Sequence, residues 1–302
     1  MTFGQTALAG MTWPAIDIVG ASPGPVVAVM AGVHPNEVAA IDAVLRLGDE
    51  IDPAQLRGRV ALLPVANQPG YRTRTEYLVP IDGKNLNFCF PGRHDGSFSD
   101  VLAAALLGEW AAEADCLIDL HGGDLREEIG RFAVCQLTGD AGFDARQLEL
   151  AHAFGARFLV VLGREHLERG GRSVTGRAIR RQHAVFAEGG SHGRLVEADV
   201  RYHLDGILGV LAHHGMYSAP PMPPRAIELT GYHFLTAPVD GWARSLVTAE
   251  SAVEAGQVLA ELSDLTGRPV AQVRAPVAGY ILWRVTHPIV AAGDAIVGLG
   301  VP

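Results

Sequence analysis

His34, Glu37, His121 and Glu188 are the residues of this chain best suited to chemistry, because ligand and proton-transfer groups arrive in similar local settings. In His34-Pro-Asn-Glu37 an imidazole and a carboxylate lie three apart. They converge on one ion if the chain turns between them, and Pro-Asn is turn chemistry. Asp119-Leu-His-Gly-Gly123 delivers a second imidazole, His121. Two imidazoles and one carboxylate bind Zn2+, one ion per chain, and leave a fourth position open for water. If the strand continues to His121, Asp119 two residues before shares its face and is placed to orient the ring; the alternative is an ordinary strand-end carboxylate. Glu188 follows the apolar Ala184-Val-Phe-Ala187 and precedes two glycines. Burial there raises a carboxyl pKa toward the operating pH, as suits a base that later acts as an acid. The competing readings are histidines bonded only to loop backbone and a Glu188 that merely caps a helix.

The elements that must position these residues alternate between short apolar strands and helical periodicity, which predicts an α/β fold: a mixed, mostly parallel sheet with flanking helices. Strands are expected over Pro25–Met30, Arg59–Val65, Cys116–Leu120, Phe158–Leu162 and Ala184–Ala187. Helices are expected over Val38–Leu47, from Ser99 as cap to Ala114, and over Arg194–His214. His34, Asn67, His121 and Glu188 each fall one to four residues beyond an expected strand end. Ligands of open α/β sheets bind outside the carboxyl ends of the strands, so these residues are expected to share one edge. Gln68–Arg93, rich in Pro, Gly and Asn, is expected to be a long functional loop. It carries Arg72, Arg74, Asn85, Asn87 and Arg93, groups able to polarise a carbonyl or grip a carboxylate. His213 and His214 are expected at the surface, and His94 and His183 have no supporting constellation.

Beyond a Pro-rich linker, Pro220–Pro224, the character changes. Ala237-Pro-Val-Asp-Gly241 is echoed by Ala275-Pro-Val-Ala-Gly279, and Val253-Glu-Ala-Gly256 by Val290-Ala-Ala-Gly293. Such a repeat implies two similar β-hairpin units. It resembles the biotinyl and lipoyl carrier domains, but Asp264-Leu265 stands where those carriers have an attachment Lys. The expected domains are therefore an α/β catalytic unit, 1–219, and a small all-β barrel-sandwich, 228–302, serving structure or oligomerisation and carrying no cofactor.

Composition limits the partners. The formal net charge of −9, without any basic run, argues against nucleic acid. No apolar run reaches membrane-spanning length and no leader pattern opens the chain. Cys89, Cys116 and Cys135 are unpaired at metal spacing and fit a reducing cytoplasm. The expected partner is a small-molecule substrate, with a homo-oligomer left open.

The motifs Gly32-Val-His-Pro-Asn-Glu37, Asn67-Gln-Pro-Gly70, Asp82-Gly-Lys-Asn-Leu-Asn87, Phe90-Pro-Gly92, Asp119-Leu-His-Gly122 and Glu188-Gly-Gly190 resemble the succinylglutamate desuccinylase/aspartoacylase family, a branch of the zinc carboxypeptidase superfamily. The chain looks most like its bacterial N-acyl amino acid deacylases with an appended carrier-like β-domain. The resemblance implies a zinc-dependent hydrolase of small amides. His34, Glu37 and His121 take the zinc-ligand positions, and Glu188 takes that of the general base. Arg74 is the match to the carbonyl-polarising Arg, and Asn87 to an Asn that holds the substrate carboxylate. The family's N-L-N-R reads Asn85-Leu-Asn-Phe88 here, so its carboxylate-binding Arg is replaced by Phe88. Arg93 or Arg72 takes over, or the substrate lacks that carboxylate. Asp124-Leu-Arg-Glu-Glu128 adds acids that would favour an amine-bearing substrate, or is simply a solvated loop. The rival functions are a carboxypeptidase or small-peptide amidase with the same metal site, and a catalytically silent zinc- or ligand-binding protein.

Overall fold

In the computed structural model, residues 1–221 and 224–302 are described, so Met222 and Pro223 of the expected linker lie outside the described residues. Most of the chain forms one eight-stranded sheet. Its strands are β1 (Ile16–Val19), β2 (Ser22–Met30), β3 (Arg57–Leu63), β4 (Cys116–His121), β5 (Phe132–Gln136), β6 (Phe158–Leu162), β7 (His183–Glu188) and β8 (Ile227–Leu229). They lie side by side in the order β1-β3-β2-β4-β7-β5-β6-β8. β3, β2, β4 and β7 run parallel, β5, β6 and β8 form a second parallel set, and the two sets meet antiparallel at β7 and β5. Within this sheet, among the described residues, only β1 is otherwise antiparallel. The sheet is thus mixed and mostly parallel, as expected.

The central strands are continuous apolar runs because helices cover both faces. On one face α1 (Val38–Glu50), α4 (Ala141–Ala153) and α6 (Glu197–His213) pack Ala40, Val44, Leu150, Leu204 and Leu211 against Val29, Ile118 and Val185. On the other, α3 (Phe98–Ala105) sets Val101 and Leu102 against Met30, Leu117 and Phe186.

Three expectations need correction. The segment Gln68–Arg93 is not structureless: it holds α2 (Gln68–Thr73), a small ribbon of Leu78–Val79 with Lys84–Asn85, and a 3-10 turn at Leu86–Cys89. Ser97, not Ser99, caps α3, its backbone N–H donating to the Asp100 carboxylate at 2.9 Å. The Ser99 hydroxyl instead donates to Asp82 at 2.7 Å, tying the ribbon turn to the helix. α3 also ends earlier than Ala114, widening into a π turn at Leu106–Trp110. Finally β1, β5 and α4 were not anticipated: β1 is a short, half-exposed edge strand and α4 is rich in polar residues, whereas β5 is a buried apolar run as long as Ala184–Ala187.

Residues beyond Gly231 form two antiparallel sheets. One contains Gly231–Thr236, Ala252–Val253, Gly279–Val285 and Ala295–Val301; the other contains Gly241–Ser245, Val258–Ser263, Pro269–Arg274 and Ile289–Val290. The repeat has a packing cause, since Ala237, Ala275, Val253 and Val290 are all buried in the core between them. Leu265 sits at a hairpin tip, 93% exposed, beside Asp264, whose Oδ1 accepts the backbone N–H of Thr266 and of Arg268. The two parts are joined by backbone pairing. Glu127–Ile129, between β4 and β5, adds to the edge of Gly279–Val285, with Trp283 opposite Ile129, Arg284 opposite Glu128 and Val285 opposite Glu127.

Candidate active site

β4 and β7 are adjacent and parallel, in a register that sets His121 beside Glu188 and Asp119 beside Phe186. Side chains two apart share a face, so Asp119, His121, Phe186 and Glu188 form one patch at the carboxyl ends of the strands. Phe186 stacks on the His121 ring with centroids 4.3 Å apart. β2 ends at Met30 next to Asp119, and the following loop brings His34 and Glu37 to the same edge. That loop needs Gly32: it holds φ +63°, and a Cβ there would meet Val65 Cα at 2.8 Å.

His34, Glu37 and His121 converge, their ligand atoms all lying within 4.8 Å of one another. His34 Nδ1 is 2.7 Å from Glu37 Oε1, and His121 Nδ1 is 3.0 Å from Glu37 Oε2. The far nitrogens face acceptors. His34 Nε2 is 3.0 Å from Asn85 Oδ1, and His121 Nε2 is 3.4 Å from Asp119 Oδ1. Asp119 is itself fixed by the Ser173 hydroxyl, which donates to its Oδ2 at 2.5 Å. With a cation held at the Nδ1 atoms, both rings would carry N–H on Nε2, toward Asn85 and Asp119, and a lone pair on Nδ1.

The donor set fits a divalent cation on a further observation. Glu37 Oε2 and His121 Nδ1 are buried and close, yet neither has a hydrogen-bond partner. Buried polar atoms are rarely left so, and a shared cation would satisfy both. The charges agree: burial opposes ionisation of Glu37, but the two imidazoles outweigh it and hold its carboxyl well below the usual range. Burial likewise opposes a proton on His121, and Asp119 and Glu37 outweigh it, a field that attracts any cation.

Glu188 is half-buried, and its Oε2 is buried without a partner. Burial raises its pKa well above the ordinary value; His121 opposes this, while Glu37 and Glu127 add to it. The cluster opens into a cavity of about 620 Å³ whose wall includes His34, Glu37, Glu188, Asn85, Asn87 and Phe88. Asn85 accepts the Asn87 backbone N–H at 2.9 Å as well as facing His34, so the ribbon is locked to the loop that carries His34 and Glu37. Asn87 is buried, and its Oδ1 has no partner.

Several expected residues stand elsewhere. Arg72, Arg74 and Arg93 are exposed, and none is on the cavity wall. Arg74 closes α2 in the left-handed conformation, and Arg93 faces Asp100 at 3.6 Å. Asn67 is buried as the cap of α2, accepting the Gly70 N–H at 2.9 Å. His183, for which no site role was expected, stacks on Phe143. The wall also holds residues that the sequence did not single out: Tyr77, Arg172, Tyr232 and Trp283. Tyr77 and Arg172 both have positive φ, 53° and 61°, a strain that clusters at functional sites. The signal for Arg172 was Gly170-Gly171 before it, two further positive-φ residues entering α5 (Ser173–Ile179). Glu127 also lines the cavity, and burial raises its carboxyl to about 7.

A family model, the succinylglutamate desuccinylase/aspartoacylase catalytic domain, matches residues 23–214. The chain belongs to that family. It is 28% identical over 290 residues to the N-alpha-acetyl-L-2,4-diaminobutyric acid deacetylase of Halomonas elongata, covering 93% of this chain and 83% of the relative. Among solved structures, the product-bound ectoine utilization protein EutE (DoeB) from Ruegeria pomeroyi superposes with a TM-score of 0.88 at 24% identity, over 100% of this chain and 93% of that one. A succinylglutamate desuccinylase/aspartoacylase from Rhodobacter sphaeroides gives 0.84 at 25% identity, over 95% and 89%. No helix among the described residues is long and apolar enough to cross a membrane.

Proposed function

We propose that the protein is a zinc-dependent deacylase that hydrolyses the amide bond of a small N-acyl amino acid. The observation that carries this reading is the unpartnered Glu188 carboxylate in register beside His121, at the mouth of the His34–Glu37–His121 cluster. His34 and His121 would hold the ion through Nδ1, and Glu37 through its carboxylate. Zinc bound there supplies Lewis acidity that makes water nucleophilic near neutral pH and polarises the scissile carbonyl. Glu188 takes a proton from the attacking water at its free oxygen and returns it to the leaving nitrogen. Its raised pKa suits both steps. Asn85 and Asp119 keep the imidazole rings oriented throughout.

The substrate carboxylate is assigned to Arg172 and Asn87. Arg172 N–H donates to the Asn87 carbonyl at 2.7 Å, and Gly171 approaches Phe88. The guanidinium therefore reaches the cavity from beside the position where the family carries its Arg. Arg74, Arg72 and Arg93 are kept out of the reaction because their side chains are exposed and off the cavity wall. The unit expected over 228–302, whose Glu228 and Leu229 belong instead to β8 of the main sheet, is read from Gly231 onward as a carrier-like barrel-sandwich that also walls the cavity through Tyr232, Phe234 and Trp283.

The test is release of free amino acid from N-acetyl amino acids by the zinc-loaded protein, beginning with the Halomonas relative's N-alpha-acetyl-L-2,4-diaminobutyric acid. Zinc-dependent release of acetate and amine in equal amounts is expected. Cleavage of C-terminal peptide bonds alone would select the carboxypeptidase reading, and no turnover on either class would select the silent scaffold.

A further inference from the structure

We propose that Glu127 recognises a side-chain ammonium on the substrate, so that the cavity selects N-acyl amino acids bearing a second, cationic amine. The inference rests on the deacylase reading and adds to it the residue that sets specificity.

Strand alternation separates the two acids of this segment. In Glu127–Ile129 the side chains of Glu127 and Ile129 face the cavity, and Glu128 faces away. Glu128 is neutralised by Arg284, whose Nε donates to its Oε2 at 2.6 Å. Its neighbours are matched in the same way: Arg126 pairs with Glu76 at 2.8 Å, and Arg131 with Asp199 at 3.0 Å. Glu127 differs from them. Among the described residues no Lys or Arg lies within ion-pair distance of it, although it is largely buried. Its carboxylate is fixed rather than free, because the Asp124 backbone N–H donates to Oε2 at 3.3 Å and the Tyr77 hydroxyl is a further hydrogen-bond partner.

A held, buried carboxylate without a counter-charge is costly unless something cationic completes it. Glu37 raises its pKa further, His34 offsets this only in part, and neither ion-pairs with it. A substrate ammonium entering the cavity would restore the ionised form and gain a charge-assisted hydrogen bond. Arg172 on the same wall holds the opposite charge, so a substrate with a carboxylate and a side-chain amine meets a complement for each. The backbone of Glu127 is fixed by pairing with Val285. The C-terminal unit therefore positions the specificity residue of the active site.

The experiment compares N-alpha-acetyl-L-2,4-diaminobutyrate with its neutral isostere N-acetyl-L-norvaline, on the zinc-loaded wild type and on Glu127→Gln. Glutamine preserves the size and the hydrogen bonds to Tyr77 and Asp124 while removing the charge. The wild type is expected to prefer the cationic substrate. In Glu127→Gln the cationic-to-neutral ratio of kcat/KM is expected to fall about 10- to 100-fold, chiefly through KM. An unchanged ratio, with both substrates losing the same factor, would show a purely positioning role and overturn the proposal. Equal wild-type activity on the two substrates would overturn it too while sparing the deacylase reading. Hydrolysis of neither would remove both.

Discussion

Asp119→Asn should weaken zinc binding without unfolding the protein. The carboxylate is fully buried, with Oδ1 3.4 Å from His121 Nε2 and Oδ2 accepting the Ser173 hydroxyl at 2.5 Å. No water can replace it there. The amide is nearly isosteric but uncharged, so the His121 ring loses a charge-assisted partner worth about 1.5–3 kcal/mol. The 3.4 Å separation is long for a hydrogen bond and places the effect at the lower end of that range. At 1.4 kcal/mol per factor of ten, zinc affinity should fall roughly tenfold to thirtyfold. The assay is competition against a chromophoric chelator at fixed pH, with circular dichroism of the metal-free protein as the control for folding. Ser173→Ala, which leaves the carboxylate in place, should lose less. Affinity within about twofold of wild type in a folded Asp119→Asn protein would refute the idea that Asp119 tunes the second imidazole.

Further outcomes follow from the same geometry. Arg172→Ala should raise KM for N-acyl amino acids about 10- to 100-fold with a smaller change in kcat, and Phe88→Arg in that background should recover part of the loss; steady-state kinetics on both variants checks this, and an unaltered KM would remove Arg172 from the substrate site. His203 is buried, its Nε2–H donating to the Gly189 carbonyl at 3.0 Å, and burial lowers its pKa from 6.5 to about 4. The folded state thus binds this proton less readily than the unfolded one. The associated stability is full above pH 6.5 and is lost as pH falls through 4, by up to roughly 3 kcal/mol. Urea denaturation from pH 7 to 4 should show a shallower loss in His203→Gln than in wild type, and parallel curves would contradict the assignment.

The convergence of His34, Glu37 and His121 was legible because each follows a strand whose apolar run is unmistakable. Once β2 and β4 are neighbours, His34 and His121 have little choice but to meet. Glu188 was legible for the same reason, and the parallel register of β4 and β7 completes the inference. The loop arginines were not. Arg74 and Arg172 are alike in sequence terms, a guanidinium in a glycine-containing segment. What separates them is backbone conformation and the path of the chain over the sheet, which local patterning does not encode. Trp283 and Tyr232 were equally hidden. Trp283 is placed by the pairing of Glu127–Ile129 with Gly279–Val285, a contact spanning some 150 positions, which alternation in either strand cannot reveal. The repeat exposed the β-rich unit beyond Gly231 but not its role as a cavity wall. The acids after His121 carried a usable hint, since one of them, Glu127, faces the cavity while Glu128 turns to Arg284.

The most direct test of the account combines turnover and metal content in one sample of Glu188→Gln. With N-alpha-acetyl-L-2,4-diaminobutyrate as substrate, kcat is expected to fall by about 10²- to 10⁴-fold. Bound zinc should remain near one per chain, because Glu188 is not among the converging ligands. Turnover close to wild type with zinc still bound would contradict the assignment of Glu188 as the base that drives the hydrolysis.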